Sequence, residues 1–175
     1  DEIKKARRDF NVPSSHTLVD ADGLGWGVLE KGYVGFKATE AVAIEPETKG
    51  TRDPKTGKRD GIKGNYENFK TQCWYRFASK INEGIVSISL DDVLVNGART
   101  QTVKVGKKTY KVKDLIVADL RSSKKGHNID KKKMMNTKEN QKSMLSGRSP
   151  DHGDAIMMRE YFEIFKSPTN YFSSL

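Results

Sequence analysis

The chain has 175 residues, 35% of them hydrophobic and 31% charged, with a formal net charge of +9. That length suits one domain with a core, and 15 glycines imply long polar loops. No apolar run approaches the ~18 residues of a membrane span and no secretory leader is evident, so a soluble protein without a membrane partner is expected. The single cysteine, Cys73, cannot close an intramolecular disulfide and fits a reducing cytoplasm.

In chain order, the charged stretch Asp1 to Phe10 predicts the end of a helix, followed by a turn at Asn11-Val12-Pro13. Thr17-Leu18-Val19 is β-prone and runs into the glycine-rich turn Asp20-Ala21-Asp22-Gly23-Leu24-Gly25-Trp26-Gly27, after which Val28-Leu29-Glu30 opens a helix. A strand is expected over Tyr33 to Ala38 and a long polar loop over Glu45 to Gly64. The clearest helix carries Tyr66, Phe69, Cys73, Trp74, Phe77, Ala78 and Ile81 at helical spacing, between Asn65 and Gly84. Its aromatic stripe is read as core rather than as a base-stacking platform. Ile85 to Leu90 predicts a strand, Thr100 to Val105 with Thr109 to Val112 a hairpin, and Lys113 to Leu120 a helix. A short strand over Lys133 to Met135, a helix over Lys138 to Leu145 stopped at Gly147, and a final helix over Ser149 to Phe165 complete an α/β alternation without internal repeats.

The charge is unevenly spread. Lys104 through Arg148 holds fourteen Lys/Arg against Asp114, Asp119, Asp130 and Glu139, a net +10, and the rest of the chain sums to −1. Within it Lys107-Lys108, Lys124-Lys125 and Lys131-Lys132-Lys133 form clusters suited to a phosphate backbone, against the bland alternative of a solvated lysine-rich surface.

Two acidic constellations carry chemistry. In Gly147-Arg148-Ser149-Pro150-Asp151-His152-Gly153-Asp154-Ala155, Ser149 is placed to cap and Pro150 to enter the first turn, with apolar residues following at Ala155, Met158, Phe162 and Phe165. Asp154 then lies on the apolar face with Asp151 one turn back, and a carboxylate buried there must be paired, protonated or metal-bound. Acids in a first turn also complement the helix dipole, which needs no ligand. His152 is read as a first-turn surface residue, with proton transfer as its alternative. The second constellation is Asp20, where a strand ends and a glycine-rich turn begins, a common place for site residues in open α/β sheets. An EF-hand reading fails, because it puts Leu18 and Leu29 at ligand positions. A phosphate loop lacks Gly-Lys-Ser/Thr. There remain a plain Asp-Gly turn, or an Asp20 that converges with Asp154 on hydrated divalent metal.

Asp20-Ala21-Asp22-Gly23-Leu24-Gly25-Trp26-Gly27-Val28, then Tyr66 to Gly84, Thr137-Lys138 and Gly147 to Ala155, resemble in content and order the C-terminal nuclease domain of tailed-phage terminase large subunits, over about Thr17 to Phe165. The resemblance implies the ribonuclease H-like fold of the retroviral-integrase superfamily, a mixed central sheet flanked by helices. It implies a single nuclease domain over 1–175, with the first strand or strands of the family fold, and a further aspartate on them, upstream of Asp1 and without the ATPase domain. It also implies metal-dependent endonuclease activity on concatemeric double-stranded DNA with two Mg²⁺ or Mn²⁺ ions. Asp20 matches the family's strand-end acid, Asp154 the acid of its Ser-Pro-Asp-x-x-Asp-Ala motif, and Asp151 a further ligand position. Lys138 matches a lysine preceding that motif, and with Lys107, Lys108, Lys124, Lys125, Lys131, Lys132 and Lys133 it is expected to contact DNA. Implied partners are the terminase ATPase domain, the small terminase subunit and the portal protein, in the bacterial host cytoplasm. The rivals are a non-catalytic DNA- or portal-docking module, and a junction resolvase or integrase of the same superfamily.

Overall fold

The computed structural model describes residues 2–22, 32–43, 65–88, 102–127 and 132–165, with the backbone of 94–95 and 98–99. Gly23 to Glu30 of the glycine-rich turn, the 45–64 loop and Lys131 lie outside the described residues.

Helix α1 (Glu2–Asp9) leads through Asn11, at φ 50°, and a 3₁₀ turn at Ser14–His16 to strand β1 (Leu18–Asp20). Strand β2 (Val34–Phe36) lies parallel to it, with Leu18 opposite Val34 and Asp20 opposite Phe36. Among the described residues this parallel sheet has two strands, and the larger mixed central sheet expected from the resemblance is not seen in them. The other pairings are antiparallel: β3 (Leu94–Val95) with β4 (Ala98–Arg99), and the hairpin β5 (Thr102–Val105) with β6 (Lys108–Lys111), which turns at Gly106 with φ +61°. The whole is a mixed α/β architecture of helices and small sheets.

Helix α2 (Phe69–Asn82) is the organising element. Asn68 caps it by accepting from the Thr71 N–H at 2.8 Å, and Gly84 at φ +71° ends it. Its buried face carries Phe69, Cys73, Trp74 and Phe77, which form the core with Phe36, Met157 and Ile164. The aromatic stripe is therefore core, although Ile81 at its far end is 40% exposed. Gln72, also buried, uses its amide on both backbone groups of Ala43 at 2.9 Å each.

Helix α3 (Val112–Ser122) buries Val112, Leu115, Ile116 and Asp119. Helix α4 (Lys138–Met144) is capped by Thr137 and stops before Gly147, at φ +86°. The expected unbroken final helix is instead two, α5 (Asp151–Met158) and α6 (Glu160–Phe165). Short-range bonds close the break, from Arg159 N to Ile156 O at 3.3 Å and from Phe162 N to Arg159 O at 3.1 Å. There Glu160 turns its carboxylate inward to Lys80 Nζ at 2.8 and 2.9 Å and Arg76 Nε at 3.4 Å.

Two predicted strands do not form. In Ile85 to Ile88 the backbone is unpaired as strand, because the Ile85 N–H closes the end of α2 on Lys80 O at 3.1 Å; residues 89 and 90 lie outside the described residues. Lys133 to Met135 makes only single bridges, Tyr66 with Lys133 and Lys125 with Met135. No helix among the described residues is long and apolar enough to cross a membrane.

Candidate functional site

Asp154 sits in the first turn of α5 at the edge of its buried face, because the residues turned fully inward are Gly153 and Met157. The expected apolar stripe through Met158 is thus offset by one residue. That offset leaves the Asp154 side chain 22% exposed, with Oδ2 accepting from Lys70 Nζ at 2.8 Å. Its other oxygen, Oδ1, is buried without a hydrogen-bond partner among the described residues. A buried acceptor with nothing to accept from is costly, so this carboxylate is only half satisfied by protein.

Lys70 belongs to the first turn of α2 and donates its backbone N–H to Ala38 O at 3.1 Å. The Ala38 and Thr39 N–H groups donate to Asp22 Oδ2 at 2.6 and 3.3 Å, and the Asp22 N–H donates to Asp20 Oδ1 at 3.1 Å. A short hydrogen-bonded path therefore runs from the end of β1 through the turn after β2 to Lys70 and Asp154. Asp20 and Asp154 stand at its two ends, and no hydrogen bond joins them directly. Asp22 is committed to the turn after β2, and Asp20 at the strand end remains exposed. Asp151 is exposed at the start of α5.

Ser149 does not cap α5, and the capping position is Pro150, which makes no side-chain bond. The cap comes from another element. Asp119 of α3, fully buried, accepts from the His152 N–H at 3.0 Å and the Gly153 N–H at 3.1 Å, and it pairs with the Arg148 guanidinium. His152 Nδ1 stands 3.7 Å from the same carboxylate. Burial alone would raise the Asp119 carboxyl, but the His152 ring, the Arg148 guanidinium and the Gly153 N–H outweigh it and hold it below the usual carboxylate range. Gly153 is required by this approach, since a Cβ there would lie 2.9 Å from Asp119 Cβ and 3.4 Å from Trp74 Cη2. Asp119 escapes the sequence reading, where it counts only as a charge. The available signal was its place in Val112, Leu115, Ile116, Asp119, at i, i+3, i+4 and i+7 of one helix face.

Beside Lys70 a cleft of about 250 Å³ opens between α2 and α4, with Asn68, Lys70, Thr71, Trp74, Thr137 and Lys138 among its walls. Lys138 is exposed there. Lys107 and Lys108 are exposed on the β5–β6 hairpin, and Lys124, Lys125 and Lys132 are exposed as well. Lys133 has a further engagement, its ammonium 5.0 Å and 5.4 Å from the centres of the Tyr66 and Tyr75 rings.

Among the described residues no three His, Cys, Asp or Glu side chains cluster as a complete metal cage. The donors present are hard carboxylate oxygens, and Asp154 combines a cation on one oxygen with an unpartnered second. That fits an ion such as Mg²⁺, which is usually held by one or two carboxylates with water and substrate phosphate making up the rest.

No protein-family model and no curated protein sequence matches the chain. A solved structure does. It is a lysine-to-alanine variant of the nuclease domain of the large terminase subunit gp2 of bacterial virus Sf6, with manganese and beta-thujaplicinol. The likeness covers 90% of this chain and 69% of that one, with a TM-score of 0.55 and 18% sequence identity. The chain has the fold of a phage terminase nuclease domain. The positions that the terminase resemblance singles out are Asp20 at the strand end, Asp151 and Asp154 in the first turn of α5, and Lys138 at the start of α4. Lys70 and Asp119 are added by the structure, Lys70 as the ion-pair partner of Asp154 and Asp119 as the buried brace of the α5 turn.

Proposed function

We propose that this chain is a metal-dependent DNA endonuclease domain of a phage DNA-packaging terminase, which cleaves concatemeric double-stranded DNA by phosphodiester hydrolysis with two Mg²⁺ or Mn²⁺ ions. The observation that carries the reading is the Asp154 carboxylate, half paired and half unpartnered on a terminase nuclease fold. Such ions supply an acidified water to attack phosphorus and charge to stabilise the departing oxygen. Asp154 and Asp20 hold them, and Asp151 is a further ligand or orients the attacking water. The Sf6 domain carries manganese, in keeping with this chemistry. Lys138, beside the cleft, neutralises a phosphate near the cut. Lys107, Lys108, Lys124, Lys125, Lys131, Lys132 and Lys133 contact the backbone without reading sequence. The terminase ATPase domain, the small subunit and the portal are its partners, in the host cytoplasm.

Acids that serve as turn and cap acceptors, Asp22 and Asp119, favour a second reading, a non-catalytic DNA- or portal-docking module. Plasmid cleavage separates the two. With Mn²⁺ the chain, alone or extended upstream by the aspartate-bearing strand that the terminase resemblance implies, cuts plasmid DNA, and Asp154→Ala lowers cutting by at least ~100-fold. Retention on DNA at low salt persists in that variant, since phosphate contacts use other residues. Plasmid left intact by both forms of the wild-type chain would falsify the nuclease reading and leave docking.

A further inference from the structure

Lys70 occupies a position that electrostatics disfavours. It lies in the first turn of α2, where the exposed N–H groups of the helix present partial positive charge and a cation is repelled. What holds its ammonium is Asp154 Oδ2 at 2.8 Å. That pair is incompletely buried, with the lysine side chain 32% exposed and the carboxylate 22%. It joins a cation at an unfavourable helix end to an anion at a favourable one, since Asp154 sits in the first turn of α5. The ammonium also satisfies only half of its partner, because Oδ1 stays unpartnered. A divalent cation on Asp154 would bring twice the charge to the same carboxylate.

We propose that Lys70 is a built-in competitor for divalent metal on Asp154. It neutralises the carboxylate until a metal displaces it, and the displaced ammonium then reaches the adjoining cleft, which it lines with Lys138. Metal occupancy and a second positive charge for a DNA phosphate thereby become one event. The inference rests on the nuclease reading above, and it makes a claim that reading does not, namely that removing a positive residue beside the site strengthens metal binding.

The test is a titration of the purified chain with Mn²⁺, reading free Mn²⁺ by electron paramagnetic resonance at low ionic strength. Lys70→Met keeps the length of the side chain without its charge, and Lys70→Gln is a second neutral variant should the first fold poorly. Both are expected to bind Mn²⁺ roughly fivefold more tightly than wild type, the scale of one partly exposed ion pair. Lys70→Arg retains the competing charge and stays near wild type. Asp154→Asn loses Mn²⁺ affinity by at least ~10-fold, alone or combined with Lys70→Met. In cleavage assays the neutral Lys70 variants move the other way and cut more slowly at saturating Mn²⁺. A lysine that served only to hold α2 against α5 would, on removal, weaken Mn²⁺ binding or leave it unchanged. That result, with Asp154→Asn still losing affinity, overturns the competitor and leaves the nuclease reading intact. Mn²⁺ binding indifferent to Asp154→Asn overturns both.

Discussion

Two carboxylates lie against the first turn of α5, and they are satisfied very differently. Asp119 reaches it from α3 and is buried with an arginine and two backbone N–H groups spread over its oxygens. Asp154 belongs to the turn itself, holds one lysine and keeps a buried oxygen with no partner among the described residues. A carboxylate whose acceptor sites are filled by protein has little left to offer a ligand, and its business is to fix the helix. One left half filled costs stability unless something else completes it, and such sites are where function is found. Asp119 therefore anchors the turn that presents Asp154.

The comparison predicts unequal costs. Asp119→Asn removes the anion but leaves the Arg148 guanidinium in place, and urea denaturation in metal-free buffer should show a loss of about 3–5 kcal/mol. The same residue sets an acid limb. Its folded carboxyl lies below the ordinary value of 3.8, so the unfolded chain binds the proton more readily. Its stabilisation is complete above roughly pH 5 and disappears as the pH falls below about 4 towards the depressed folded value. The wild-type urea midpoint should drop over that range, and Asp119→Asn should flatten the drop; parallel curves for the two would show that Asp119 is not the titrating brace.

A smaller loss is expected from Gly153→Ala. The added methyl meets Asp119 Cβ at 2.9 Å, an overpacking cost of about 1–3 kcal/mol, against which alanine recovers up to ~1 kcal/mol of helix propensity. Thermal melting that rose in this variant would mean the α3–α5 contact is looser than described. The smallest effect belongs to Asp154→Asn, within about 1 kcal/mol of wild type without metal, because it breaks only a partly exposed ion pair. If its loss equalled that of Asp119→Asn, the two carboxylates would not differ as argued.

Much of this was legible in the sequence for local reasons. The α2 stripe, the hairpin around Gly106, the stop at Gly147 and the α5 start after Ser149-Pro150 all follow from side-chain periodicity and from glycine and proline chemistry within a few residues. Ile85 to Leu90 shows the limit, since its alternation is as strand-like as that of any segment here. Its first N–H is nonetheless taken by the α2 end, and Ile85 is left 66% exposed. Of the glycine-rich turn that suggested Asp20, only Asp20, Ala21 and Asp22 are among the described residues.

By itself the sequence determined which residues bear acid and base, that Asp151 and Asp154 stand in one helical turn, and that the lysines gather between Lys104 and Arg148. These are properties of composition and short-range spacing. Only the tertiary structure decided that Asp119 caps α5 across a gap of more than thirty residues, that Glu160, just past the break in the last helix, meets Lys80 and Arg76, and that Lys70 closes on Asp154. Each of these joins charges far apart in the chain, and a charge is buried only where a partner from another element arrives to compensate its lost hydration.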